Sequence, residues 1–482
     1  MLFNSYEFIF AFLPVVFIIY FSLNRLRLLI ASKIWLVASS LFFYSWWNIS
    51  YLPLILISMA FNYAIGSALS KEKVKINRKL ILTIGTLFNT GLLGYFKYSD
   101  FFISNVNTLF TTNMALLNLA LPLAISFFTF QQIAYLVDAY RFETREYSFL
   151  NYALFVTFFP QLIAGPIVHH KEMMPQFEQL RNKVINYRNI ALGMFIFSIG
   201  LFKKVAVADT FAVWATKGFD ETETLTFIEG WITSLSYTFQ LYFDFSGYTD
   251  MAIGAALLFN INLPRNFNSP YKALDIQDFW RRWHITLSRF LTQYIYIPLG
   301  GNRKGASRTY INILIIFMIS GFWHGAGWTF VFWGFLHGLA TVINRLWKTF
   351  RLKLNTVVAW FITFNFINIA WVFFRATTWS DAIKVLKGMV GFNGIVLPSF
   401  ESLSFLESYG ILLGSYFVDL SELIKIVPYL IAALIIVVYC KNSNTNMENF
   451  HSNLLTSVLI SVAFVYCIVN FNKISEFLYF NF

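Results

Sequence analysis

His324 has the surroundings that most favour chemistry in this sequence. It closes the apolar run YINILIIFMISGFWH (310–324), with Gly321, Gly325 and Gly327 around it and Trp323 and Trp328 as neighbours. An ionisable residue in a membrane-length apolar segment is costly to place and is read by default as functional. As a neutral imidazole it can take a proton from a hydroxyl near physiological pH, which is the work of a general base. The glycines let the backbone bend or approach a ligand, and the tryptophans can wall a narrow passage. His324 lies sixteen positions after Arg308; at ~1.5 Å per residue that is ~24 Å along a straight helix, close to mid-membrane.

His284 is the second candidate. It sits in the charged stretch Asp275 to Ile297, where Ile276, Phe279, Trp280, Trp283, Leu287 and Phe290 fall on one side. That period predicts a helix at the cytoplasmic interface or dipping into the protein, either as a surface anchor or as part of a site. The other histidines read more plainly. His451 lies in a polar loop, His337 reads as a core histidine bonded to a neighbouring helix, and His169 and His170 follow the Pro/Gly-broken stretch FFPQLIAGPIV, where a boundary role is favoured. GxSxG, HExxH and a Walker A loop are absent, and Ser246-Gly247 lacks a nucleophile-elbow frame. His284 and His324 have too few His, Cys or carboxylate neighbours to hold a metal. Cys440 and Cys467 lie in apolar segments and read as buried small residues.

The elements that position these residues follow from composition. The chain has 482 residues, 57% hydrophobic and 12% charged, with mean hydropathy +0.60, against about 25% charged in soluble domains. This predicts an all-α, polytopic integral membrane helical bundle, because backbone exposed to lipid must satisfy itself and no barrel-like alternation is present. Apolar segments start near Phe8, Ile34, Leu52, Leu80, Leu116, Ala153, Ile190, Phe227, Met251, Tyr310, Thr329, Val357, Ile411, Ile426 and Leu454. With re-entrant and amphipathic helices among them, about 11 to 13 spans of a ~30 Å hydrocarbon core are expected. Phe8 to Leu23 reads as a first span, not a removed signal. Ser380 to Val390 reads as a short amphipathic helix capped by Ser380.

The net charge of +12 resides in short loops such as Lys71 to Lys79, Arg303/Lys304/Arg308 and Arg345 to Lys353. These are topology signals that place those loops in the cytoplasm and the N-terminus outside, and they argue against nucleic-acid binding. No linker divides the chain, so residues 1–482 form a single membrane domain. A lipid-linked sugar transporter remains a competing class. Against it, the sequence has neither paired broken helices nor the several intramembrane charges of such a carrier.

Several stretches resemble the membrane-bound O-acyltransferase (MBOAT) family, in its bacterial alginate O-acetyltransferase branch, and also the membrane component of peptidoglycan O-acetylation. They include SLFFYSWWN from Ser40, LPLAISFFTFQQIAYLVDAYR from Leu121, FDFSGYTDMAIG from Phe243, the stretch from Ser269 to Gly305, SGFWHGAGWTFVFWGFLHG from Ser320 and NIAWVFFRA from Asn368. The resemblance implies a bundle around a central tunnel, in the bacterial cytoplasmic membrane. It implies a catalytic His324 and a supporting His284. The acyl donor would be a cytoplasmic thioester, most simply acetyl-CoA, used as substrate with no tightly bound cofactor. Arg281, Arg282, Arg303 and Lys304 could dock its phosphates or anchor lipid headgroups. The tail SEFLYFNF (475–482) resembles the family's aromatic FxYFxF tail and implies Tyr479 as a covalent acyl relay, with an interfacial anchor as the plainer alternative. An extracytoplasmic partner acyltransferase would pass acetyl to a polysaccharide such as peptidoglycan or alginate; D-alanyl transfer is the alternative chemistry.

Overall fold

Apolar runs separated by short basic loops fold into helices in almost every case. The computed structural model describes residues 1–71, 77–146, 148–163, 165–397, 408–409, 412–414, 420–471 and 477–478. Among these, seven helical stretches are long and apolar enough to cross a membrane: Glu7–Arg25, Ile49–Ser70, Arg78–Phe110, Tyr187–Glu221, Ala306–His324, Thr356–Arg375 and Ser421–Tyr439. Leu29–Ser45 and Leu454–Val469 are shorter and equally apolar in character. Of the other apolar segments counted from sequence, those starting at Ala153, Phe227 and Met251 become internal helices, whose apolarity serves packing against protein, and the one starting at Ile411 lies largely outside the described residues. The only strands among the described residues are Val396–Leu397 and Leu412–Leu413, a parallel pair.

The centre of the protein is the helix Phe227–Leu258, buried along nearly its whole length. Sequence patterning placed two apolar segments here, starting at Phe227 and Met251; they form one continuous helix, opened by Thr226 and Glu229 in a reciprocal capping box. It packs closely on Tyr187–Phe202 through facing glycines. A Cβ on Gly254 would stand 2.6 Å from the Gly193 carbonyl oxygen, and one on Gly200 would stand 2.5 Å from that of Gly247. Backbones can approach this closely only where no side chain intervenes.

Four other local expectations are corrected. Residues 112–122 carry no helix: the N–H groups of Met114, Leu117 and Asn118 donate to the side chains of Asn107 and Asp100, and Pro122 disfavours helix just before it; the helix forms later, as Ile125–Tyr140. The stretch from Asp275 to Ile297 is not one helix: it divides into Ile276–Arg282, Ile285–Leu291 and the π-helical turn Thr292–Tyr296, with His284 left-handed at the break (φ 43°). The amphipathic helix near Ser380 runs Trp379–Met389 and is capped by Thr378, whose hydroxyl accepts from Asp381 N while Asp381 accepts from Thr378 N. Cys467 is buried as expected, but Cys440 is exposed, since it follows the last turn of Leu420–Tyr439.

Candidate active site

His324 is the last residue of the Ala306–His324 helix, and Gly325-Ala326-Gly327 turns the chain into Trp328–Thr349. The two helices form a tight hairpin because Gly321 and Gly334 face each other: a Cβ on either would lie 2.3 Å from a carbonyl oxygen of the opposite helix, Phe330 or Phe317. This crossing holds His324 in the interior, 2% exposed. Its ring has aromatic walls, with ring centroids at 4.8 Å to Trp323, 5.3 Å to Trp333 and 5.0 Å to Phe374.

His284 also neighbours Trp323, whose ring centroid lies 6.2 Å from it. Its left-handed backbone is held by Asn266. The Asn266 side-chain oxygen lies 3.0 Å from His284 Nδ1 and accepts from Thr286 Oγ1 at 2.9 Å, while the Asn266 carbonyl accepts from Ile285 N at 3.0 Å. The break that defeated a continuous helix is therefore what aims His284 inward. The Trp323 ring thus contacts both imidazoles.

Two cavities are lined by residues before and after His324 in the chain, though by His324 itself in neither case. The first, about 380 Å³, is lined by Arg281, Arg345, Gln277 and Trp280 and reaches Phe317 and Ser320, the latter one turn before His324. The second, about 320 Å³, is lined by Lys97, Asp100, Leu121, Gly325 and Ala326, just beyond it. The four basic positions expected to bind phosphates are not gathered in one place. Arg281 lines the first cavity, whereas Arg282 donates to Asp278 at 3.0 Å and to the Asn268 carbonyl at 3.3 Å. Arg303 and Lys304 are exposed on the glycine turn before Gly305 and are not among the residues that line that cavity. Arg345 is the second guanidinium of the cavity, and in sequence it was legible only as a topology signal.

Tyr479 lies outside the described residues, but the two residues before it are held in the core. Phe477 is 1% exposed and stacks on Tyr248 at 4.4 Å. It also packs 6.2 Å from Phe245, whose ring lies 4.8 Å from His284. Leu478 N donates to Asp244 at 3.0 Å. Asp244 in turn pairs with Lys204 at 2.8 Å, and Lys204 with Asp209 at 2.7 Å, all three buried. Beside them, Lys203 donates to Asp250 and Ser443, each at 2.6 Å. These groups correct the sequence reading that intramembrane charges were lacking. They were hidden because Lys203 and Lys204 occupy a π-helical turn, Lys203–Ala208, that follows an apolar helix and resembles its cytoplasmic end.

Three other histidines have polar partners of their own. His337 accepts at Nδ1 from Trp280 Nε1 at 3.3 Å. His170 pairs with Glu146 at 3.1 Å, and His169 Nδ1 lies 2.9 Å from the Tyr294 hydroxyl. Among the described residues no group of three His, Cys, Asp or Glu could hold a metal ion. Lys97, which bonds the backbone at His324, was missed; as the only charged residue from Leu80 to Ser99 it carried a signal. Asn266 carried none.

Residues 32–378 match the membrane-bound O-acyltransferase family. The chain is 49% identical over its whole length to a peptidoglycan O-acetyltransferase of Helicobacter pylori, 98% of which is covered. It is 38% identical, over 82% of its length and 75% of the relative's, to a probable alginate O-acetylase of Pseudomonas aeruginosa. A teichoic acid D-alanyltransferase of Streptococcus thermophilus is 27% identical over 48% of this chain and 59% of its own.

Proposed function

The chain belongs to the membrane-bound O-acyltransferase family, a multi-pass membrane acyltransferase, and from that premise we propose that it moves acetyl from a cytoplasmic thioester, acetyl-CoA, across the bacterial cytoplasmic membrane. A partner acyltransferase on the outer face then esterifies a cell-envelope polysaccharide. Peptidoglycan is favoured over alginate, and acetyl over D-alanyl, by the order of identity among the relatives.

The observation that carries this reading is a buried imidazole in a stretch whose Ser320 lines one cavity, with Arg281 and Arg345, and whose Gly325 lines another. The guanidinium groups suit the phosphates of a coenzyme, which stay in the cytoplasm while the thioester extends toward Ser320 and His324. The second cavity supplies a hydroxyl acceptor. His324 takes the hydroxyl proton, the oxygen attacks the thioester carbonyl, the C–S bond breaks, and the departing sulfur takes the proton back, leaving an ester and free thiol. His284, which shares the Trp323 ring as a neighbour with His324, supports the site. With Tyr479 as first acceptor, the same exchange forms a tyrosyl ester, whose acetyl then passes to a hydroxyl of the partner. The anchoring of Phe477 and Leu478 near His284 supports that role. Only a small acyl group crosses the membrane.

The test is mass spectrometry on purified protein incubated with isotopically labelled acetyl-CoA. Label on the peptide containing Tyr479, lost in His324→Ala and in Tyr479→Phe, is the expected result. Near-normal transfer by His324→Ala would remove it as the base, and label reaching a partner from Tyr479→Phe would replace the relay by direct transfer.

A further inference from the structure

The Ala306–His324 helix ends inside the protein, so its last four carbonyls, beyond reach of helical N–H groups, need donors from elsewhere. Each has one. Gly321 O accepts from Gly325 N at 3.4 Å, and Phe322 O accepts from the Tyr98 hydroxyl at 2.6 Å. The carbonyls of Trp323 and His324 both accept from the Lys97 ammonium, at 2.6 and 3.1 Å. Its third donor reaches Ser126 Oγ at 3.2 Å, on the Ile125–Tyr140 helix.

Lys97 and Tyr98 are adjacent in sequence and bond consecutive carbonyls of one helix end. They close the π-helical turn Gly94–Tyr98, a widened turn of the kind that recurs at functional sites. The Tyr98 ring also stacks on Phe322 at 4.1 Å. A lysine in an apolar helix is costly, and a neutral donor could cap a carbonyl at lower cost. What the ammonium adds is a positive charge at the negative end of a helix dipole, and three bonds converging from one atom. Those bonds tie the peptide at His324 to a neighbouring helix, beside the cavity that Lys97 itself lines.

We propose that Lys97 is a positioning residue of the acyl-transfer site: its ammonium clamps the Trp323 and His324 carbonyls, and this helps to fix the His324 imidazole. The proposal rests on His324 as the base. Gly325 leaves the link after His324 with no side chain of its own, so the imidazole is oriented by the rings of Trp323, Trp333 and Phe374 together with backbone bonds at the helix end. Lys97 supplies two of them.

The experiment measures acetyl transfer per folded molecule for Lys97→Met, Lys97→Arg and His324→Ala in the purified full chain, with melting recorded in parallel. Lys97→Met is expected to lower kcat about tenfold or more with the acetyl-CoA KM unchanged, since small misplacements of a catalytic group act on kcat. Lys97→Arg, which keeps charge but cannot converge three bonds on a point, should lose about threefold. A purely structural cap would lower the melting temperature and leave kcat per folded molecule intact; that result overturns the proposal. Should Lys97→Met fail to accumulate, Lys97→Arg decides: wild-type kcat overturns the clamp. An inactive His324→Ala beside a normal Lys97→Met removes the clamp alone. An active His324→Ala removes the assignment of the base and the clamp with it.

Discussion

Asn266 shows how a single side chain can determine a site. Its oxygen holds His284 and Thr286 together, and its backbone oxygen holds Ile285, at the one point where the segment leaves helical geometry. Replacing it by leucine keeps the volume but leaves buried polar groups on His284 and Thr286 without this acceptor. That should cost roughly 1–3 kcal/mol of stability. Because the His284 ring would also lose its orientation, acetyl transfer per folded molecule should fall by about tenfold. Transfer kinetics beside a tryptophan-fluorescence melt check both; normal transfer by a destabilised protein would leave Asn266 a purely structural role.

At the scale of elements, the hairpin Ala306–His324 with Trp328–Thr349 carries the site, and its spacing depends on Gly321 and Gly334. Gly321→Ala puts a methyl group 2.3 Å from the Phe330 carbonyl oxygen, so the helices must part. Overpacking of this kind costs about 1–3 kcal/mol. A lowered melting midpoint with reduced transfer is the expected outcome; an unchanged midpoint would show that the crossing tolerates the methyl group. The hairpin was legible in sequence as two apolar runs joined at His324. Its closeness was not, because a glycine in an apolar run reads equally as a bend or as a packing surface.

For the whole molecule, the buried charges on Phe227–Leu258 tie distant parts of the chain together. Asp244 links Lys204 to the backbone at Leu478, and Asp250 links Lys203 to Ser443. Replacing Asp244 by leucine removes one of the two carboxylates around the buried Lys204, and breaking a buried pair from one side costs about 3–5 kcal/mol. It should also release the tail, making a cysteine placed at Leu478 reactive toward maleimide while the same cysteine beside an intact Asp244 stays protected. Equal protection in both would show that ring packing at Phe477 alone holds the tail.

Much of this protein is determined by the sequence alone. An excess of apolar residues over charges dictates membrane helices, since backbone in lipid must bond to itself. His324 and His284 stand out because an imidazole is costly in such segments. Tertiary structure alone decided that His284 breaks a helix, that Lys97 reaches the end of another helix, and that Arg281 and Arg345 share a cavity while Arg282, Arg303 and Lys304 stand apart from it. The physical reason is that hydrophobic periodicity reports which face of a helix avoids water. It says nothing of which polar group on a distant segment will meet a buried partner, as Asn266 meets His284 and Lys97 meets the carbonyl of His324.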